Sequence, residues 1–309
     1  MKIEKVESFY INSESQVKLT KTGKIYKLRS MKFKAQPHIQ KIDKDRYVYL
    51  PTGEVKDYNH KAVTRADNAK NAKASFSALR DILNSNIDKP YKCLFVTITY
   101  KRNMKDVNQL YNDFRKFNMK FRRYCKNLNR DYEYICVTEP QGRGAFHCHV
   151  IFIFDKKAPF IPNEDVARLW GHGFTSVRKL KDDVDNIGAY LTAYLTDIEI
   201  EKIPDIRLLD NVTQFDIKSI ETVDENGEKV NKSYIKGLRL KMYPKGMKIY
   251  RCSRGIKKPI VSHCTYSEAL KTIGNAKLTH DNTIRLVDET GIEINRINYR
   301  CYNANKKEV

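Results

Sequence analysis

Between residues 93 and 154 the chain is written as three runs of β-branched and aromatic residues, with one long helical stretch between the first and the second. The runs are CLFVTITY (93–100), YEYICVT (132–138) and FHCHVIFIF (146–154). Each has the length and composition of a buried strand. Between the first two, Val107, Leu110, Phe114, Phe117, Phe121 and Tyr124 recur at steps of three and four, one face of an amphipathic helix. Asp106 stands where it would cap that helix. The opposite face, with Arg115, Lys116, Lys120, Arg122 and Arg123, reads as solvated. The link Pro140–Gly144 has turn chemistry, so the second and third runs should pair as an antiparallel hairpin. The pattern predicts an α+β fold: a central antiparallel β-sheet flanked by helices, with the third run in its middle.

The rest of the chain is written less clearly. Residues 1–60 are polar and lysine-rich and read as a basic N-terminal extension of short strands and loops. Residues 61–210 form the expected main domain, and 211–309 a C-terminal α+β segment that packs on it or aids the binding of its partner. Within these, Lys61–Asn86 reads as a helix that Pro90 closes. Asn163–Trp170 reads as a short helix, Phe174–Leu180 as a strand and Asp182–Ile198 as a helix. Asp224–Gly227 reads as a turn, Ser267–Ile273 as a helix and Glu289–Gly291 as the bend of a hairpin.

Charge points to the partner. There are 58 Lys and Arg against 37 Asp and Glu, a formal net charge of +21. Such a field draws in polyanions, with nucleic acid first and an anionic membrane surface second. No run of about 18 apolar residues would cross a bilayer, and no GxxxxGK[ST] motif marks an ATPase. The seven cysteines are scattered with no CxxC pair, which fits a reducing cytoplasm better than a disulfide framework or a zinc ribbon.

Two patterns carry chemistry. On a strand, alternate residues share a face, so His147 and His149 point together while Phe146, Cys148 and Val150 point into the core. An HxH pair alone is weak evidence for a metal. Glu139, at the end of the preceding strand and across the glycine-rich link, strengthens it, because the hairpin brings its carboxylate towards both imidazoles. Two nitrogens and one oxygen leave positions open for water or a phosphate oxygen, as a catalytic site needs. The second pattern is GAYLTAYLT (188–196), which places Tyr190 and Tyr194 on one helix face. Tyrosines at this spacing also occur as core packing. Beside a metal that polarises a phosphodiester, phenols become candidate nucleophiles.

The ordered series FVTITY (95–100), Glu139 with HCH (147–149), and YLTAY (190–194) resembles the three motifs of HUH endonucleases. More narrowly it resembles the rolling-circle replication initiators of plasmids and small phages, as do WGHGFTSVRKL (170–180) and KMYPKGMKIYRCSRGIKKP (241–259). The resemblance spans roughly residues 60 to 260. It implies that His147, His149 and Glu139 bind Mg²⁺ or Mn²⁺. It further implies that Tyr190 or Tyr194 attacks a phosphate of single-stranded DNA at a replication origin. The enzyme would keep the 5′ phosphate and free a 3′ hydroxyl to prime synthesis. A host helicase and polymerase would be its partners. Thr97 and Thr99 would lie on the strand beside the metal strand.

The family often carries a lysine three residues after the tyrosine. Here those positions are Ala193 and Asp197, and Lys179 or Lys181 is the nearest substitute in sequence. Arg143, Arg178, Lys179, Lys181, Arg251 and Arg254 are the expected DNA contacts, and His172 is expected to be structural. Two other readings remain: a relaxase or transposase of the same chemistry, and a catalytically inactive DNA-binding regulator.

Overall fold

The computed structural model describes residues 2–7, 9–33, 37, 39–58, 60–141, 144–180, 186–192, 197–199, 217–223, 229–235 and 237–305. In chain order its elements begin with strands β1 (Lys2–Val6), β2 (Gln16–Thr22), β3 (Ile25–Met31), β4 (Ile39–Lys41), β5 (Arg46–Tyr49) and β6 (Glu54–Asp57). Then come α1 (Ala69–Asn86), β7 (Cys93–Ile98), α2 (Val107–Asn127), β8 (Tyr132–Pro140), β9 (Phe146–Phe154), α3 (Asn163–Trp170) and β10 (Thr175–Lys179). After them lie α4 (Ile187–Thr192), β11 (Ile198–Glu199), β12 (Ile217–Val223), β13 (Lys229–Ile235) and β14 (Tyr250–Cys252). The chain closes with β15 (Ile260–Thr265), α5 (Tyr266–Ile273), β16 (Lys277–Val287) and β17 (Glu293–Asn303).

Two compact units result, residues 63–258 and residues 1–62 together with 259–309. This division differs from the boundaries at 60 and 210 read from the sequence. The N-terminal strands are part of a sheet: β3 pairs with β17, β2 with β15 and β1 with β16, all antiparallel. The resulting order is β1-β16-β17-β3-β2-β15. Val17, Leu19 and Leu28 meet Ala269 and Ile273 of α5 in a small core. Thr265 caps α5 in a reciprocal capping box with Glu268. The β16–β17 bend is closed by the Asp288 carboxylate, which accepts from the Thr290 and Ile292 amides, with Gly291 at φ +89°.

The larger unit is built on a five-stranded antiparallel sheet, order β10-β7-β9-β8-β14, with β9 in the middle as the sequence predicts. Its register fixes two faces, because directly paired residues point the same way. Tyr134, Cys136, Cys148, Val150 and Phe152 point towards α2. Phe114 stacks edge-on against Tyr134 at 5.3 Å, and Phe121 lies 4.4 Å from Phe152. Leu110, Phe114, Phe117 and Phe121 are all buried, and the Asp106 side chain accepts from the Asn108 and Gln109 amides at 2.8 and 3.0 Å. A fully buried apolar side chain contributes about 1.5–3 kcal/mol, so this face is ample reason for α2 to form and dock.

Two helices depart from the sequence-based expectation. α1 starts at Ala69 and not near Lys61, because the Asp67 carboxylate takes the Val63 and Thr64 amides and Asn68 caps the first turn through Asn71. The expected helix 182–198 is described only as α4. Residues 182–185 and 193–196 lie outside the described residues, as does the expected turn at 224–227.

Candidate metal centre

Glu139 is the register partner of His147, and Thr97 that of His149. Hairpin pairing therefore brings all four side chains to the face opposite α2. Glu139 and both imidazoles each offer one ligand atom, and these atoms lie within 4.8 Å of one another. Glu139 Oε2 is 3.1 Å from His149 Nε2 and 3.5 Å from His147 Nε2. The two rings stand edge to face with centroids 4.6 Å apart.

Burial tunes this group for a cation. It lowers the pKa of His147 to about 3, helped by the neighbouring His149. It lowers that of His149 to about 4, against a small opposing effect of Cys148. Both imidazoles are therefore neutral near pH 7, the form that ligates a metal. Among the described residues, neither ring nitrogen of His147 has a hydrogen-bond partner, although both atoms are buried. An unpaired buried polar atom costs about 1–3 kcal/mol, and a cation at Nε2 would remove one of those costs. His149 Nδ1 lies 3.0 Å from Thr97 Oγ1, an outer contact that fixes the ring with Nε2 turned to Glu139. Phe95 stacks on the same imidazole at 5.3 Å. The three residues fit a divalent metal.

One residue of the site has no signal in the sequence. The Arg239 guanidinium is ion-paired with Glu139 Oε1. It also donates to the carbonyls of Pro140 at 3.1 Å and Asp197 at 2.9 and 3.2 Å. An arginine in a chain this rich in Lys and Arg is invisible until the fold places it. Thr97, by contrast, came with the family resemblance, which puts its strand beside the metal strand.

The tyrosine-bearing helix α4 is held by α1. Asn84 Oδ1 accepts from the Gly188 amide at 2.8 Å, its amide donates to Asn186 Oδ1 at 3.0 Å, and Arg80 Nε donates to Thr192 Oγ1 at 3.3 Å. Gly188 is required by this approach, since a Cβ there would stand 2.4 Å from the Arg80 carbonyl oxygen. Tyr190 belongs to α4. Tyr194 lies outside the described residues, as do Arg143 and Lys181.

The remaining expected contacts separate. Arg178 and Lys179 are exposed on edge strand β10, and Arg178 pairs with Phe95 on the face of the histidines. Arg254 is exposed in the turn after β14. Arg251 faces the other way. It pairs with Cys136, half-buried, and its guanidinium lies 4.1 Å from the centre of the Tyr111 ring and 4.9 Å from that of Phe114. Cation–π packing on α2 accounts for it. His172 packs on Trp170 and Tyr100 at 4.9 and 5.6 Å and takes no part in the triad.

The fold and site define a class: an antiparallel sheet whose central strand carries two histidines beside a carboxylate, a potential metal-binding triad. The family model for replication-associated proteins of the ORF2 type matches residues 93–199, the stretch from β7 to β11 that holds the triad and both tyrosines. That match supports a replication-initiator role and, with it, an interaction with DNA. No curated protein and no solved structure matches the chain. No described helix is long and apolar enough to cross a membrane.

Proposed function

We propose that this protein is a metal-dependent endonuclease that initiates rolling-circle replication by nicking single-stranded origin DNA through a tyrosine. The observation that carries the proposal is the largely buried triad of Glu139, His147 and His149, in the same unit as the tyrosine helix. A bound Mg²⁺ or Mn²⁺ would supply Lewis-acid polarisation of the scissile phosphate. The chain's own groups do the rest. Thr97 holds His149 in the ligating orientation, Arg239 holds Glu139, and α1 holds α4 through Gly188.

The phenol of Tyr190 or Tyr194 attacks phosphorus. A bond forms between the phenolic oxygen and phosphorus as the phenol gives its proton to solvent, the bond to the 3′ oxygen breaks, and that oxygen takes one proton back from solvent. The products are a 5′-phosphotyrosine and a free 3′ hydroxyl for the host polymerase. One phosphodiester replaces another, so strand rejoining needs no ATP, and duplex opening falls to a host helicase. Arg178, Lys179 and Arg254 are the exposed cations assigned to the DNA backbone, with Arg143 and Lys181 as further candidates from sequence.

The test is cleavage of labelled single-stranded oligonucleotides from the cognate origin on a denaturing gel, with Mn²⁺ or with EDTA. Cleavage in Mn²⁺ alone, lost in His147→Ala and His149→Ala, is expected. Binding without cleavage, at every metal tried, would establish the inactive DNA-binding regulator.

A further inference from the structure

Arg239 makes contacts on two sides of the site. Its Nη1 engages Glu139 Oε1 and the Pro140 carbonyl. Its Nε and Nη2 converge on the Asp197 carbonyl. The Asp197 carboxylate in turn accepts from the Gly237 amide at 3.0 Å, where a φ of +69° turns the chain into the segment bearing Arg239. Pro140 adjoins a triad residue, and Asp197 follows Tyr190 by seven residues and Tyr194 by three. One planar, largely buried cation therefore bridges the end of the metal strand hairpin and the end of the tyrosine segment.

From this geometry we infer that Arg239 is a positioning residue that couples the metal carboxylate to the segment carrying the nucleophile. The inference rests on Glu139 being a metal ligand. Arg239 occupies Oε1, so Glu139 offers the two imidazoles and a cation a single oxygen, Oε2. Arginine suits this task where lysine does not. Its fixed fork of five donors reaches a carboxylate and two carbonyls in one plane, while an ammonium is a point charge on a flexible stem. Any shift of the Glu139 carboxylate on binding a cation is then transmitted to the Asp197 backbone.

Hydrogen exchange read by mass spectrometry tests the coupling on the full chain, with and without Mn²⁺, in wild type, Arg239→Lys and Arg239→Met. In the wild type, Mn²⁺ should slow exchange in peptides covering 139–149 and also, by ~threefold or more, in peptides covering 197–199. In both variants the first response should persist and the second disappear. An equal response at 197–199 in wild type and Arg239→Lys overturns the coupling, and so does a wild type in which only 139–149 responds. Arg239→Lys keeps the charge, so it reports even if Arg239→Met fails to fold. A wild type that shows the coupled response but never links to DNA would leave the coupling standing and remove the nickase reading.

Discussion

At the scale of single residues, His147 and His149 decide what the site can do. Their pKa values lie near 3 and 4 because the fold buries them. Unfolded imidazoles titrate near 6.5. Between about pH 6.5 and 4 the unfolded chain therefore binds protons that the native metal-free site does not. The stability these residues contribute is full above 6.5. It falls by about 1.4 kcal/mol per pH unit for each histidine as the pH drops towards 4. Metal binding has a matching signature. Native imidazoles need no deprotonation above pH 5, so Mn²⁺ affinity, followed by electron paramagnetic resonance of the free ion, should stay nearly constant from pH 5.5 to 7.5. A steep loss below pH 6.5 would mean exposed histidines and contradict the burial. The HxH spacing and the carboxylate across the hairpin were legible in the sequence. Arg239 was not, because its contacts join positions 139, 140 and 197 through tertiary packing alone.

At the scale of elements, the readable parts were those whose pattern repeats locally. α2 was legible because Leu110, Phe114, Phe117 and Phe121 return at helical spacing and Asp106 caps it, and the structure buries all four. The 3-to-4 periodicity needs no knowledge of what it packs on. Phe121→Ala should cost roughly 3–5 kcal/mol, because its ring contacts Phe117, Tyr132 and Phe152. Thermal unfolding followed by circular dichroism would show it, and an unchanged midpoint would refute this packing. α4 depends on a contact instead of a pattern. Gly188→Ala drives a methyl group to 2.4 Å from the Arg80 carbonyl oxygen and 2.8 Å from Asn84 Oδ1. Overpacking of this kind costs about 1–3 kcal/mol, a fall of roughly 3–10 °C in Tm. The covalent adduct should also form more slowly than in the wild type, because α4 bears Tyr190.

At the scale of the whole molecule, the least legible feature was the partnership of the two chain ends. Strands β2 and β3 lie in what the sequence reads as a basic extension of short strands and loops, yet β3 pairs with β17 and β2 with β15, 239 to 278 residues away. Such pairing leaves no local trace, since each strand's pattern is satisfied by any antiparallel neighbour. The net charge of +21 also belongs to this scale. Binding to a single-stranded origin oligonucleotide, measured by anisotropy, should weaken linearly in log K against log salt. Contacts with six phosphates would give a slope of roughly −4. A slope near zero would mean the charge is spread for solubility and does not meet the DNA backbone.

The central claim is that a tyrosine of the 190–194 pair becomes joined to DNA. Mass spectrometry of protease digests, after reaction with origin oligonucleotide and Mn²⁺ and nuclease trimming, reads this directly. The account predicts a nucleotide remnant linked through phosphate to Tyr190 or Tyr194, absent in EDTA and absent in the double Tyr190→Phe, Tyr194→Phe protein. Cleavage with no linked peptide, or cleavage that survives the double substitution, would make water the nucleophile and contradict the account.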